Sequence, residues 1–257
     1  MPSDALPRPD FSQIPPDLIF YLGWLHGFQE AYAIYCHVAA CDRVLIVGET
    51  SGRDSFYLRS CGKWTVAMDI MVHPYIPQLI RGDANRRWPF AAGSFDAVVM
   101  SEVLEHLFND TGALAEARRV LKDDGVLVVT VPFLDDAPFH ARLHSPRTIQ
   151  SLLAVSGFTV KSYYERGALF GLANLIEKLM AIRFRLQRLA SPGLGQFESY
   201  HPQLVRLATW NLNRRPLAPR RGPFSRYWGC YVACAKGPYA DFNQSQEEWF
   251  AKGGKLR

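Results

Sequence analysis

The segment RVLIVGETSGRDSFYLRSCGKWTVAMDI, residues 43–70, decides the architecture. An apolar run, Val44 to Val47, ends abruptly at Gly48. Gly52 follows, then the helix-compatible stretch DSFYLRS, then a second β-rich run ending at Asp69. This is a strand, a tight turn, a helix and a second strand. Glycines in such a turn let the backbone approach a ligand, and the helix N-terminus offers unpaired N–H groups to it. An acidic residue closing the second strand can accept hydrogen bonds from both hydroxyls of a ribose.

Outward from this unit the same alternation continues. Strand candidates are Arg43–Val47, Thr65–Ile70, Gln78–Arg81, Phe95–Met100, Gly125–Pro132, Phe158–Tyr164 and Tyr227–Ala235, with helices predicted at about 53–61, 103–108, 111–121 and 146–156. Near-continuous apolar strands such as VLIV and VLVVTV suit a parallel sheet covered on both faces. The spacing predicts an α/β, doubly wound, Rossmann-like sheet. Upstream, Leu18, Tyr21, Leu22, Leu25, Phe28, Tyr32, Tyr35 and Cys36 recur at helical spacing. This predicts an amphipathic helix capped by Asp17, with the aromatic stripe packed on the core or covering a substrate pocket.

The rhythm breaks once, between the sixth and seventh strand candidates. There ALFGLANLIEKLMAIRFRLQRLA and PQLVRLATWNLNRR carry helical periodicity. The resulting division is a terminal arm and capping helix at 1–42, a nucleotide-binding-type core at 43–164, a helical insertion at 165–226, and a final strand with a tail at 227–257. The insertion holds nine of the chain's arginines within 181–226 and one acid, Glu198, for a net charge of +8. The whole chain of 257 residues is only +5, so the remainder is slightly acidic. Arginine without lysine suggests planar contact with phosphate or carboxylate, and IRFRLQRLA has the pattern of a basic amphipathic helix at an anionic membrane surface.

Composition excludes several classes. No apolar run approaches the roughly 18 residues needed to span a bilayer. The five cysteines lack a C-x-x-C pair, so neither a disulfide framework nor a structural zinc site is expected, and no metal site is assigned. Buried reduced thiols and the absence of a secretory pattern in MPSDALPRPD give the expectation of a cytoplasmic protein, at most peripheral to a membrane.

The third informative block is IRGDANRRWPFAAGSFDAVVMSEVLEHLFND, residues 80–110, followed by EARRVLKDDGVLVVTVPF at 116–133 and SPRTIQSLLAVSGFTV at 145–160. Together with the first segment these resemble the class I S-adenosylmethionine-dependent methyltransferases, and within them the small-molecule branch marked by "SFD…VLEH" (methyltransferase type 11-like). The resemblance covers about 43–165, and Tyr227–Ala235 fits that fold's antiparallel last strand. It implies S-adenosyl-L-methionine as cofactor. By its pattern Gly48 and Gly52 line the methionine end, Asp69 meets the ribose, Asp83 and Ala84 flank the adenine, and Ser101 and Glu102 lie beside the methionine moiety with His106 close by; Glu49 and Ile70 are further cofactor-binding candidates. Asp96 is read as structural. The chain departs from the pattern at Ile46, where the family has an acid, and at Thr50, where it has a third glycine. Glu49 is the nearest carboxylate that could take over from the missing acid.

The function implied is methyl transfer, to oxygen, of a small molecule, a glycan or a lipid-linked intermediate. An oxygen acceptor must lose a proton, and histidine is the usual base near neutral pH. His106, His140 and His144 all fall after strands four and five, and His140, within PFLDDAPFHARLHSP, is the first choice. Two other readings stay open. One is a cofactor-binding or scaffold protein without catalysis, motivated by Ile46 and Thr50. The other is a nucleic-acid methyltransferase, motivated by the arginines. Against the latter, SEVL stands where an Asn/Asp-Pro-Pro-aromatic tetrapeptide would mark methylation of base amino groups. A nicotinamide dehydrogenase is disfavoured, because the G-x-G-x-x-G spacing is absent.

Overall fold

A computed structural model describes residues 25–50, 52–74, 76–133, 138–169, 186, 225–241 and 251. Its elements are α1 (Leu25–Val38), β1 (Arg43–Val47), α2 (Arg53–Ser60), β2 (Trp64–Asp69), β3 (Leu79–Arg81), β4 (Phe95–Ser101), a 3-10 turn (Leu104–His106), α3 (Asp110–Val120), β5 (Leu121–Pro132), α4 (Pro146–Val155), β6 (Phe158–Leu169) and β7 (Ser225–Lys236). The strands form one sheet in the order β3-β2-β1-β4-β5-β7-β6. β7 runs antiparallel to both neighbours, and the other pairings are parallel.

Strand periodicity explains the two-sided core. In a strand successive side chains point to opposite faces. Leu45, Val47, Val66, Met68, Val98 and Met100 therefore share one face, packed with Ala113, Leu114 and Ala117 of α3 and Ile149 and Leu153 of α4. Val44, Ile46, Ala97, Val99 and Val128 share the other, against Ile34 and Val38 of α1 and Phe56 and Leu58 of α2. β1 and β4 are buried on both sides, which is why they read as largely apolar runs. The strand order reverses between β1 and β4. In open α/β sheets ligands bind at the carboxyl ends of the strands beside such a reversal.

The seven strand candidates correspond to the seven observed strands, with shifted ends. β5 begins at Leu121 rather than Gly125. β6 continues to Leu169 and β7 starts at Ser225, so 170–224 separates them, of which only Leu186 is described. The helix expected over 103–108 is a single 3-10 turn, because Glu102 takes φ 54° and bends the chain out of β4 just before it. On α1, Glu30, Ala31, Ala33, Ile34 and Val38 are buried. Of the expected stripe, Tyr35 is half-buried and packs against the core, Cys36 is exposed, and the other side chains lie outside the described residues. The proposed cap Asp17 and the arginine-rich interval, apart from Leu186 and the start of β7, lie outside the described residues.

Asp96 acts structurally. Its carboxylate accepts from the backbone N–H groups of Asp42 (3.1 Å) and Arg43 (2.8 Å) and pairs with Lys122, tying the start of β1 to β4 and β5. Of the cysteines, Cys41, Cys230 and Cys234 are buried, Cys61 is half-buried, and none of the five forms a disulfide. Among the described residues no helix is long and apolar enough to cross a membrane.

Candidate active site

The turn after β1 is shaped by its glycines. Gly48 and Gly52 both have φ 78°, a left-handed conformation that side chains disfavour. At Gly48 there is also no room, since an added Cβ would run into Val103 on the turn after β4. The Gly48 N–H donates to Met68 O (2.8 Å), which locks the turn to β2. Glu49 is buried and points back to α2, where Oε2 accepts from the Ser55 N–H (2.9 Å) and Ser55 Oγ (3.0 Å). Burial, and next the neighbouring Asp54 charge, push the Glu49 carboxyl up to about 7. Its carboxylate is committed to the start of α2.

On the β2 side of the turn, Asp69 is buried at its strand end. Oδ1 accepts from the Met71 N–H (2.8 Å), and Oδ2 lies 3.4 Å from the donating hydroxyl of Thr50. Ile70 beside it is exposed, as are Met71 and Val72, and together they leave an apolar surface next to a carboxylate. Asp83 forms an Asx turn, accepting from Asn85 N (2.9 Å) and Asn85 Nδ2 (3.1 Å), and it pairs with Arg86. These bonds, the Asn85 amide first, hold its carboxyl below the ordinary value. Ala84 is buried and its carbonyl accepts from Trp88 Nε1 (3.3 Å). Trp88 N in turn donates to Glu116 of α3 (2.8 Å), which fixes this turn against the core.

On the other side, at the ends of β4 and β5, a charged cluster is buried. Arg53, the first residue of α2, donates through Nη1 to Glu30 Oε2 (2.6 Å), through Nε and Nη2 to Asp54 (2.8 and 2.9 Å), and through Nη2 to Ser101 Oγ (2.9 Å). Burial opposes the Arg53 charge, but Asp54 and Glu30 outweigh it and raise its affinity for the proton. Ser101 Oγ lies 3.2 Å from Glu30 Oε1 and 3.0 Å from Thr130 Oγ1. Thr130 Oγ1 lies 3.0 Å from both Glu30 Oε1 and Glu102 Oε1. The Glu102 N–H donates to the Thr130 carbonyl and hydroxyl oxygens. Two hydroxyl protons thus serve three sets of contacts, to Glu30, to Glu102 and to each other. Among the described residues, three carboxylates, Glu30, Asp54 and Glu102, gather around the Arg53 guanidinium and the two hydroxyls. Carboxylates accept hydrogen bonds and favour cationic N–H donors beside them.

The three histidines divide. His106 and His140 come together, with ring centroids 4.9 Å apart, and His106 Nδ1 lies 3.2 Å from the Phe139 carbonyl oxygen. His106 is exposed and His140 half-buried. His144 is buried and hydrogen-bonded to the Leu104 backbone, and burial lowers its pKa. It braces the turn after β4 and starts the segment leading into α4.

Sequence reasoning missed Glu30, Arg53 and Thr130 as site residues. Glu30 was legible in part, since it lies four residues before Ile34 and so shares the buried face of α1. An acid on a buried helical face is itself a signal.

Part of the chain is similar to known proteins. Residues 45–129 match the family model of a methyltransferase domain. A demethylmenaquinone methyltransferase of Mycolicibacterium vanbaalenii is 32% identical over 113 residues, which cover 41% of this chain and 47% of that protein. The chain spans less than half the length of the curated relatives it matches. Among solved structures, an S-adenosylmethionine-dependent methyltransferase from Thermotoga maritima superposes with a TM-score of 0.51 at 16% identity, covering 85% of this chain and 91% of that one. The [4+2]-cyclase SpnF superposes at 0.50 and 15% identity, covering 81% and 80%. These likenesses establish the fold, and the cyclase shows that the fold alone does not specify the reaction.

Proposed function

We propose that this chain, whose residues 45–129 form a class I S-adenosylmethionine-dependent methyltransferase domain of the type 11 family, transfers a methyl group to an oxygen of a small molecule, a glycan or a lipid-linked intermediate. The observation that carries the proposal is the pairing of two unlike acidic sites across the Gly48–Gly52 turn. Asp69 lies beside exposed apolar Ile70 on one side, and the buried Glu30–Arg53–Ser101–Thr130 cluster lies on the other. S-adenosylmethionine supplies an electrophilic methyl on a sulfonium, which needs no covalent help from protein.

The residues fit that cofactor. Asp69 would accept from the ribose hydroxyls, with Ile70 against the adenine face and the Asp83–Ala84 turn at its edge. Glu30 and Glu102 would receive the ammonium, and Arg53 the carboxylate, of the methionine end. Glu30 thereby replaces from α1 the acid that the family places at the Ile46 position. Ile46 is instead packed among Ile34, Val38 and Phe56. Glu49, engaged in capping α2, is not the replacement. The protein's contribution to rate is alignment and water exclusion, which can supply roughly 7–11 kcal/mol. The proton of an oxygen acceptor would pass to an imidazole of the His106–His140 pair, with His140 as the base. His144 is reserved for bracing the loop.

A scaffold role without catalysis is the reading that one contact favours, since the Thr50 hydroxyl, 3.4 Å from Asp69 Oδ2, would compete there with a ribose hydroxyl. The +8 segment 181–226 supports peripheral contact with an anionic membrane surface. The test is incubation of the full chain with methyl-tritiated S-adenosylmethionine and a cell extract separated into organic-soluble, aqueous and nucleic-acid fractions. Label in the organic or aqueous small-molecule fraction supports the proposal. Label only in nucleic acid, or none in any fraction, overturns it. Pelleting with anionic but not neutral vesicles tests the membrane contact.

A further inference from the structure

We infer that Glu105, His106 and His140 form a site for one divalent transition-metal cation, with zinc as its probe, that takes an oxygen of the acceptor in an open coordination position. One ligating atom from each of the three residues lies within 4.8 Å of the others. The cluster is assembled by tertiary structure. Glu105 and His106 sit on the 3-10 turn after β4, and His140 on the loop after β5. That loop is tied to the turn by the N–H groups of Ala141 and Arg142, which donate to the Glu105 carbonyl at 2.7 and 3.0 Å.

Three features suit a cation. The donor set is two imidazoles and one carboxylate, a combination characteristic of transition metals held with open positions. The His106 Nδ1 is placed on the Phe139 carbonyl. Donating that proton fixes the tautomer and leaves the Nε2 lone pair available, which is how metal-ligating histidines are commonly oriented. Glu105 is 1% exposed, which holds its carboxylate in a fixed place, while His106 at the rim is exposed and gives access. Three protein ligands leave at least one position for an acceptor oxygen. A hydroxyl bound there loses its proton to water more readily, because the cation stabilises the resulting oxyanion. In that state His106 and His140 are ligands, and the cation replaces His140 as the source of acceptor activation. This role rests on the proposed methyl transfer, whereas cation binding itself does not.

The experiment titrates Zn²⁺ into chelator-stripped full-length protein by calorimetry, with Co²⁺ absorption as a second readout and S-adenosylhomocysteine binding measured separately. The expected result is one Zn²⁺ per chain, weakened at least about tenfold by each of His106→Ala, His140→Ala and Glu105→Gln. S-adenosylhomocysteine affinity is expected to change less than about twofold in His140→Ala. Because Glu105 is buried, its variant is judged only alongside the rim variants and a thermal melt. Failure to saturate by about 1 mM Zn²⁺, or binding that His106→Ala and His140→Ala leave unchanged, overturns the site. Zinc binding without any cofactor binding supports the site and overturns its role in methyl transfer. Full transferase activity in chelator-stripped protein also overturns that role and leaves His140 as the base.

Discussion

Glu30 on α1 and Arg53 at the start of α2 meet in a buried ion pair, with Nη1 2.6 Å from Oε2 and side-chain exposures of 8% and 15%. It joins a helix that precedes the sheet to the glycine turn that follows β1, and both residues reach Ser101. Removing one partner of such a pair leaves an uncompensated charge and typically costs about 3–5 kcal/mol. Arg53→Met is therefore expected to lower thermal stability, and Arg53→Lys to rescue it incompletely, because an ammonium cannot reproduce the planar fork that spans Glu30, Asp54 and Ser101. Thermal melts of the two variants check this.

Different ends of the cofactor are assigned to different acids, and fragments separate them. Glu30→Gln is expected to weaken S-adenosylhomocysteine binding by about tenfold or more, the value of one charged hydrogen bond, and to leave 5′-methylthioadenosine, which lacks the amino-acid end, unchanged. Asp69→Ala is expected to weaken both by a similar factor. Equal effects of Glu30→Gln on the two ligands would remove Glu30 from the methionine end.

Gly48 carries two constraints at once, φ 78° and the approach of Val103. Gly48→Ala is expected to cost about 1–3 kcal/mol of stability and to weaken cofactor binding, since the turn must shift away from Val103. Gly62, also at positive φ (80°) but with open space around it, is the control. Gly62→Ala pays only the backbone term. If chemical denaturation shows equal losses for the two variants, the Val103 contact is not what shapes the turn.

Glu49 predicts a pH effect of defined sign. Its carboxyl titrates at about 7 in the folded chain, above the ordinary value of 4.5. Between these pH values the folded state holds a proton that the unfolded state has lost, so stability from this group is fully present below about 4.5 and declines as pH rises to about 7. Glu49→Gln is expected to stabilise the fold relative to wild type, with a difference that grows across this window to on the order of 3 kcal/mol. Urea denaturation at pH 5 and pH 8 measures it. A difference that shrinks with rising pH would contradict the assignment.

The centre of the sheet is readable because its strands satisfy one simple rule. Val44–Val47, Ala97–Met100 and Val126–Val129 pack on both faces, so they stand out as apolar runs, and Gly48 and Asp69 close the first two strands. The site was half readable for the same reason. Residues at strand ends, such as Asp69, Ser101 and Glu102, are placed by the strands themselves. Glu30 and Thr130 are placed by packing between distant elements. Thr130 looks like any β-branched strand residue until Glu30 and Glu102 meet at its hydroxyl. On α1 the small residues Ala31 and Ala33 pack on the sheet beside Ile34, a contribution that a reading centred on the aromatic residues passes over. His106 and His140 were individually visible in the sequence, but the loop bonds to Glu105 that bring them together were not.

The carboxylate cluster and Asp69 together form the proposed binding site for S-adenosylmethionine, despite Ile46 and Thr50. Calorimetric titration of the full-length protein with S-adenosylmethionine and S-adenosylhomocysteine tests it most directly. Saturable binding of both ligands at one site per chain is expected, lost or strongly weakened in the Glu30→Gln, Asp69→Ala double variant while that variant remains folded. No binding of either ligand at about 1 mM, or binding unaffected in the folded double variant, would contradict it.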